Sequence, residues 1–375
     1  MQRVMIIAGE ASGDLHAGKI VHHVRQQNPA IQFFGIGGED MRAAGVETLV
    51  DSAELAVVGL IEVLAHRKVI FGALHQMEAI LRNDPPDLLV LVDYPEFNLR
   101  LAKTAKQLGV KVLFYISPQV WAWRQKRVHT IRKRVDMMAV VFPFEEAFYR
   151  QHDVPVKFVG HPLVNELDIA HDLNKLKHEF RLDAKLKTIG LFPGSRRSEV
   201  KRLLPIILES AKALYKTRRD IQFILPVAST LNRAEIESHL SRYDLPIQLI
   251  TGRSHEVIQV CDTIISVSGT VTLEIALFGV PVVVINKIAW LSYFIIKRMI
   301  KIPYIALCNI IAEERVVPEL IQAAASPDNI CRETIRFLDD DNYRDETRTK
   351  LLAIREKLGK EDGIENIAQL ILDMI

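Results

Sequence analysis

Short, nearly unbroken apolar runs alternate with longer amphipathic stretches along most of this chain. In the first half the runs are Val4–Ala8, Gln32–Gly35, Leu88–Val92, Val112–Ile116, Met137–Val141 and Lys157–Val159. Between most of them lie helical patterns such as Leu15–Gln27 and Asn98–Leu108, whose apolar positions recur at the spacing of one helix face. A strand that reads as continuously apolar is buried on both faces, and helices on either side supply the cover. The pattern predicts a parallel, doubly wound α/β sheet, and the right-handed crossover rule leaves few topologies for it. A polar stretch of helical composition, Asn165–Lys187, interrupts the alternation and reads as an inter-domain connection. The pattern then restarts with Thr188–Phe192, Ile221–Leu225, Gln248–Ile250, Thr263–Val267 and Val282–Ile285. No sequence repeat relates the halves, but the architecture repeats. The economical expectation is two Rossmann-like domains facing each other across a cleft, with ligands beyond the C-terminal strand ends and a charged helical tail from about Asn329 to Ile375.

Length and composition are consistent with that reading. The 375 residues suffice for two ordinary domains, 49% hydrophobic and 25% charged content is that of a globular protein, and a net charge of +2 gives no global field aimed at nucleic acid. Cys261, Cys308 and Cys331 lack metal-site spacing and imply a reducing compartment. The N-terminus turns polar too soon for a signal peptide, and no run reaches the roughly 18 apolar residues of a spanning helix. The expectation is a cytoplasmic protein.

Two strand–turn–helix passages in the second half carry candidate chemistry. Pro193-Gly194-Ser195-Arg196-Arg197-Ser198-Glu199 follows an apolar strand and precedes a long helical pattern beginning near Leu203. Such turns offer backbone N–H groups to an anion, and arginine can grip phosphate oxygens in a bidentate fork. Ser268-Gly269-Thr270 follows the strand Thr263–Val267 and opens the helical run Val271–Phe278. Two such turns suggest a pyrophosphate held by two helix N-termini. Glu274, one turn into the second helix, either accepts hydrogen bonds from a ribose or complements the helix dipole.

The first half holds the candidates for acid–base work. Gly9-Glu10-Ala11-Ser12-Gly13-Asp14-Leu15-His16 follows the first strand but lacks the Gly-x-Gly-x-x-Gly spacing, and its carboxylates would repel a pyrophosphate. Glu10, Asp14 and His16 suit a sugar with several hydroxyls, although His16 is equally a structural histidine. Asp93, delivered by Leu88–Val92 to a strand end, can take a proton from an incoming hydroxyl, more effectively if burial raises its pKa; Pro95 and Asn98 also fit a plain helix start. Ser117-Pro118-Gln119-Val120-Trp121-Ala122-Trp123 either lines a groove or packs in the core. The basic run Arg124, Lys126, Arg127, His129, Arg132, Lys133 and Arg134 is a solvated face or a seat for anionic head groups or a sugar phosphate. Val57–Leu64 and the basic-tipped Trp290–Lys301 have the composition of interfacial segments or of core; a mean hydropathy of +0.11 favours association with a membrane surface.

Taken together, Gly9–Asp14, Asp93–Asn98, Ser117–Trp123, Gly160-His161-Pro162-Leu163, Pro193–Arg196, Ser268–Glu274 and Asn309-Ile310-Ile311-Ala312 resemble, in order and over nearly the whole chain, lipid-A-disaccharide synthase, a family of GT-B glycosyltransferases. The resemblance implies an inverting enzyme on the cytoplasmic face of the inner membrane, peripherally bound and without metal or cofactor. It would join UDP-2,3-diacylglucosamine to 2,3-diacylglucosamine 1-phosphate, releasing UDP. By that likeness Asp93 is the base and Arg196 the pyrophosphate clamp. Gly194, Ser195, Ser268, Gly269, Thr270, Glu274 and Asn309 would hold UDP, with Glu10, Ser12, Gly13, Asp14 and Gln119 contributing to substrate binding. It also implies an acceptor domain over 1–165 and a UDP-sugar domain over 166–344, with helices from about 345 to 375 returning to the first domain or to a partner chain in a homodimer. Glu313-Glu314-Arg315 departs from the family pattern, which places a glycine after Ala312. The alternatives are a UDP-N-acetylglucosamine 2-epimerase, another GT-B UDP-sugar transferase, or a non-catalytic sugar-nucleotide sensor.

Overall fold

In the computed structural model, every strand pairing among the described residues is parallel. The structure describes residues 2–55, 60–167, 172–228, 230–288, 302–359 and 362–375, and of residues 60–67 and 166 the backbone alone. The chain forms two compact units, one made of Met1–Pro162 and Leu358–Ile375, the other of Leu163–Lys357.

The first unit is built on β1 (Arg3–Ala8), β2 (Gln32–Gly37), β3 (Glu47–Asp51), β4 (Leu88–Val92), β5 (Lys111–Tyr115), β6 (Met137–Val140) and β7 (Val156–Phe158), in the order β3-β2-β1-β4-β5-β6-β7. The chain therefore works outward from β1 to one edge, returns to β4 beside β1, and works outward to the other. Ala8 lies opposite Val92 across this reversal. In doubly wound sheets the crevice beyond the strand ends at such a switch point is where ligands bind. Every residue of β4 is buried, as its five apolar residues require, and Met5, Ile7, Leu89, Leu91, Val112 and Phe114 pack with the helix Pro95–Gln107 into one core. The terminal helix Gly363–Met374 packs against the helix Ala11–Gln27.

The second unit repeats the plan with β8 (Lys187–Phe192), β9 (Ile221–Val227), β10 (Ile247–Thr251), β11 (Thr263–Val267), β12 (Val282–Asn286) and β13 (Glu319–Ile321), ordered β10-β9-β8-β11-β12-β13. Its switch point lies between β8 and β11, where Phe192 is opposite Ser266. The helices Arg197–Thr217 and Pro327–Asp339 pack together over this sheet, and the helix Asp341–Lys357 belongs to this unit. The return to the first unit thus falls after Lys357, and only the last helix of the tail makes it.

Two strands lie outside the apolar runs. β3 begins with Glu47 and ends with Asp51, and β13 is three residues long and begins with Glu319. The helix after β8 starts at Arg197 rather than near Leu203. The polar residues Arg197-Ser198-Glu199 form its first turn, and the Glu199 carboxylate accepts from the Arg196 backbone N–H at 3.3 Å, a capping box that an apolar pattern does not reveal. Of the two proposed interfacial segments, Trp290–Lys301 and Val57–Gly59 lie outside the described residues, and Leu60–Leu64 is described only as the backbone opening the helix Leu60–Asn83. Among the described residues no helix is long and apolar enough to cross a membrane.

Candidate active site

In each unit most candidate residues follow the two strands that flank the switch point, β1 and β4 in the first and β8 and β11 in the second; Gln119 follows β5 and Asn309 follows β12. In the first unit, β4 ends at Val92 and the chain turns through two left-handed residues, Asp93 at φ 47° and Tyr94 at φ 45°. Consecutive non-glycine residues in that region are costly and persist only where the surroundings hold them. Here the holding group is Asn98, fully buried, whose amide donates to the carbonyls of Asp93 (2.7 Å) and Val92 (3.3 Å). The Asp93 N–H donates to the Tyr115 carbonyl at 3.0 Å, fixing the turn to β5. Tyr94 stacks on Phe97 and lies against Gly9, where a Cβ would fall 2.4 Å from the tyrosine ring. Glycine at position 9 is thus a condition for the turn after β1 to lie beside the turn after β4.

This packing sets the chemistry of Asp93. Burial, and secondarily the negative charge of Glu10, push its pKa up to about 6, against a smaller downward effect of the hydrogen bond from the Tyr94 N–H. A carboxylate so placed is ionised at neutral pH yet basic enough to accept a proton from a hydroxyl. Glu10 and Ser12 are exposed, while Gly13 is buried against Ala8 and Val92.

Asp14 is different. It is 4% exposed, and its carboxylate accepts from the backbone N–H groups of Gly38 (2.6 Å), Asp40 (3.1 Å) and Met41 (3.3 Å). It caps the short helix after β2. Its two oxygens serve three backbone donors, which gives it a framework role at this turn.

The segment after β5 rests on two buried polar pairs that the sequence did not announce. The Trp121 indole N–H donates to Glu145 at 3.0 Å, and the Ser117 hydroxyl meets that of Tyr149 at 2.7 Å. Burial raises the Glu145 carboxyl to about 8, so it is predominantly neutral at pH 7. Trp121 is core, whereas Gln119 and Trp123 are exposed.

In the second unit the turn after β8 places Gly194 at φ 101°, and a Cβ there would lie 2.4 Å from a Glu199 oxygen. Only glycine lets Glu199 cap the helix. Ser195 is exposed and its carbonyl accepts from Thr230 at 2.8 Å; the Arg196 guanidinium, 74% exposed, pairs with Glu199 at 2.9 Å. After β11, the Ser268 N–H donates to the Ile285 carbonyl (3.1 Å) and its hydroxyl to the Ile305 carbonyl (3.2 Å), while Gly269 and Thr270 face open solvent. Glu274 sits 3.3 Å from His255.

Asn309, which the likeness assigns to UDP, is engaged within its own unit. It is fully buried; its amide donates to Glu319 (2.8 Å) and the Val317 carbonyl (3.0 Å), and its oxygen accepts from the N–H groups of Val316 (2.9 Å) and Val317 (3.0 Å). All its hydrogen-bonding capacity is taken up within the unit. Glu319, which the sequence did not single out, also accepts from the N–H groups of Ile305 and Ala306. The pair thereby fixes the strand of chain that receives the Ser268 hydroxyl. Glu313 adopts the left-handed φ of 62° at the end of the helix Leu307–Ala312.

Comparison with known proteins gives the family and the fold. The Lipid-A-disaccharide synthetase family model matches residues 4–371. A lipid-A-disaccharide synthase of Geobacter metallireducens is 52% identical over 374 residues, covering 100% of this chain and 97% of that one, and one from Nitrosococcus oceani is 53% identical over 372 residues, covering 99% and 96%. Among solved structures, the S. aureus MnaA–UDP co-structure superposes with a TM-score of 0.67 at 12% identity, covering 100% of this chain and 98% of that one. The glycotransferase of kitacinnamycin gives 0.64 at 15%, with the same coverage. At such identity these two speak to the fold alone, and it is GT-B. A family model and relatives above half identity that both run essentially end to end show that the chain belongs to the lipid-A-disaccharide synthase family, glycosyltransferases of lipid A biosynthesis.

Proposed function

We propose that the chain transfers 2,3-diacylglucosamine from UDP-2,3-diacylglucosamine to the 6-hydroxyl of 2,3-diacylglucosamine 1-phosphate, with inversion at the anomeric carbon. Asp93 accepts the hydroxyl proton as the new C–O bond forms, and UDP departs with the pair of electrons from the old one. Arg196 turns from Glu199 to the diphosphate, an exchange that costs little because an exposed ion pair is weak. Ser195, Ser268, Gly269, Thr270 and Glu274 bind the rest of UDP. Asn309, like Asp14, holds its loop in place.

The observation that carries this reading is the upward-shifted carboxyl of Asp93 at the β1/β4 switch point. Acyl chains on both substrates imply a chain that works at the inner-membrane surface from the cytoplasmic side. The test is UDP release measured with both acylated glucosamines, with each alone, and with UDP-N-acetylglucosamine alone. Release that requires both, with NMR showing a β-linked product from an α-linked donor, supports the proposal. Release without the acceptor, or epimerisation of UDP-N-acetylglucosamine, refutes it.

A further inference from the structure

We propose that Arg124 and Arg127 form the subsite that reads the acceptor's phosphate, and so decide which of two nearly identical lipid sugars occupies the acceptor position. This rests on the transferase reading above. The two substrates share the diacylated glucosamine and differ in what C1 bears, a nucleoside diphosphate or a phosphate monoester. Apolar contacts cannot tell them apart; a cation placed for the smaller anion can.

The chain builds such a place at the end of β5, next to β4 and Asp93. Arg124 is held at a left-handed φ of 55° and opens the single turn Gln125–Arg127. The Arg127 N–H returns to the Arg124 carbonyl at 2.9 Å, and the Gln125 amide ties the turn to the Trp121 carbonyl at 3.1 Å. Trp121 is anchored in its turn by Glu145. The Arg124 guanidinium lies over the Trp123 ring at 4.6 Å, which orients it.

Both guanidinium groups converge on one oxygen. Oε1 of Glu96 is 2.8 Å from Arg127 and 4.0 Å from Arg124. Glu96 stands three residues after Asp93, in the first turn of the helix Pro95–Gln107. Two cations thus share this one carboxylate. The later members of the basic run are engaged elsewhere: Arg132 pairs with Asp153 at 3.3 Å and Arg134 donates to the Leu99 carbonyl at 2.8 Å.

Glu96 is 69% exposed, so its ion pairs hold weakly. A phosphate monoester brings more charge and more acceptor oxygens and takes its place in the guanidinium fork. The charge that acts on Asp93 comes from Glu10 and not from these arginines. The subsite therefore stands off the base and binds without suppressing its basicity.

The test compares 2,3-diacylglucosamine 1-phosphate with its dephosphorylated counterpart, in equilibrium binding and in turnover, for the full chain and for Arg124→Gln, Arg127→Gln and Arg127→Lys. The parent should favour the phosphorylated lipid. Each Gln variant should lower that preference roughly tenfold, as for a lost hydrogen bond to a charged group, by raising KM for the acceptor while KM for the donor stays put. Arg127→Lys should recover part of it. Equal losses on both lipids, or an unchanged preference, overturn the proposal. So does loss of binding to phosphatidylglycerol vesicles with the preference intact, which assigns the arginines to a membrane surface. A parent that prefers the phosphorylated lipid yet releases no UDP would sink the transferase reading and leave the subsite standing.

Discussion

Replacing Asp93 with Asn tests the assignment of the base by stability as well as by rate. Burial first, and Glu10 second, raise this carboxyl from 3.8 to about 6. For an acid, an upward shift means that the ionised form is less favourable in the native state than in the unfolded chain. The associated stability is complete below about pH 3.8 and is lost as pH rises through 6. A shift of about 2 units corresponds to about 3 kcal/mol. Asp93→Asn removes the charge, so the variant should exceed its parent by up to about 3 kcal/mol at pH 8 and lose that advantage at pH 4. Asparagine also tolerates the left-handed backbone better than most residues, but that gain is the same at both pH values and cancels in the comparison. Urea unfolding at pH 8 and pH 4 reads the difference. In turnover the same substitution should cost about two to four decades, the usual span for a general base, and the parent's kcat/KM should fall about tenfold per pH unit below 6. A stability difference that does not change with pH, or a rate profile flat down to pH 5, would refute the reasoning.

Arg196→Ala should remove on the order of 3 kcal/mol of transition-state stabilisation, as for a lost charge-stabilising donor, with stability nearly unchanged because its pair with Glu199 is exposed; an unaltered kcat at saturating substrate would place the clamp elsewhere. Asn309→Ala should destabilise the second unit by about 2–3 kcal/mol, since it leaves the N–H groups of Val316 and Val317 and a Glu319 oxygen without their partner; a normal urea midpoint together with weakened UDP binding would return Asn309 to direct contact. Glu313→Gly should stabilise by about 0.5–1 kcal/mol, the relief of a left-handed residue less the entropy of glycine, read as a higher urea midpoint.

The sheets were legible because their central strands have no choice of environment. Leu88–Val92 and Thr263–Val267 are buried on both faces, so their sequences are apolar throughout and signal themselves. β3 and β13 are edge strands that carry acidic residues, and nothing in a local apolar count separates them from loop. Strand order was out of reach for a related reason. The motif after β1 and Asp93 are far apart in sequence, and what unites them is that β4 returns to β1 after two outward strands. Turns at strand ends could be located, but not which pair of them flanks the reversal.

Within the site, residue type was readable and residue duty was not. Asp14, Asp93 and Asn309 are all short polar side chains in or near turns, and sequence offers no means of dividing them. Their hydrogen bonds do. Asp14 accepts from three backbone N–H groups, and Asn309 is engaged by the backbone of Val316 and Val317 and by the Glu319 carboxylate, so they determine where loops lie. At Asp93 the arrangement is inverted: its backbone is pinned by Asn98 and Tyr115, and its carboxyl is left with the Tyr94 N–H, little water and a negative neighbour. A fold that accepts two adjacent left-handed residues and a disfavoured charge at one spot gives up stability there, and the structure around Asn98 exists to withstand it. That concentration of unfavourable choices, rather than the presence of an aspartate after an apolar strand, is what separates Asp93, the proposed base, from a residue that caps a helix.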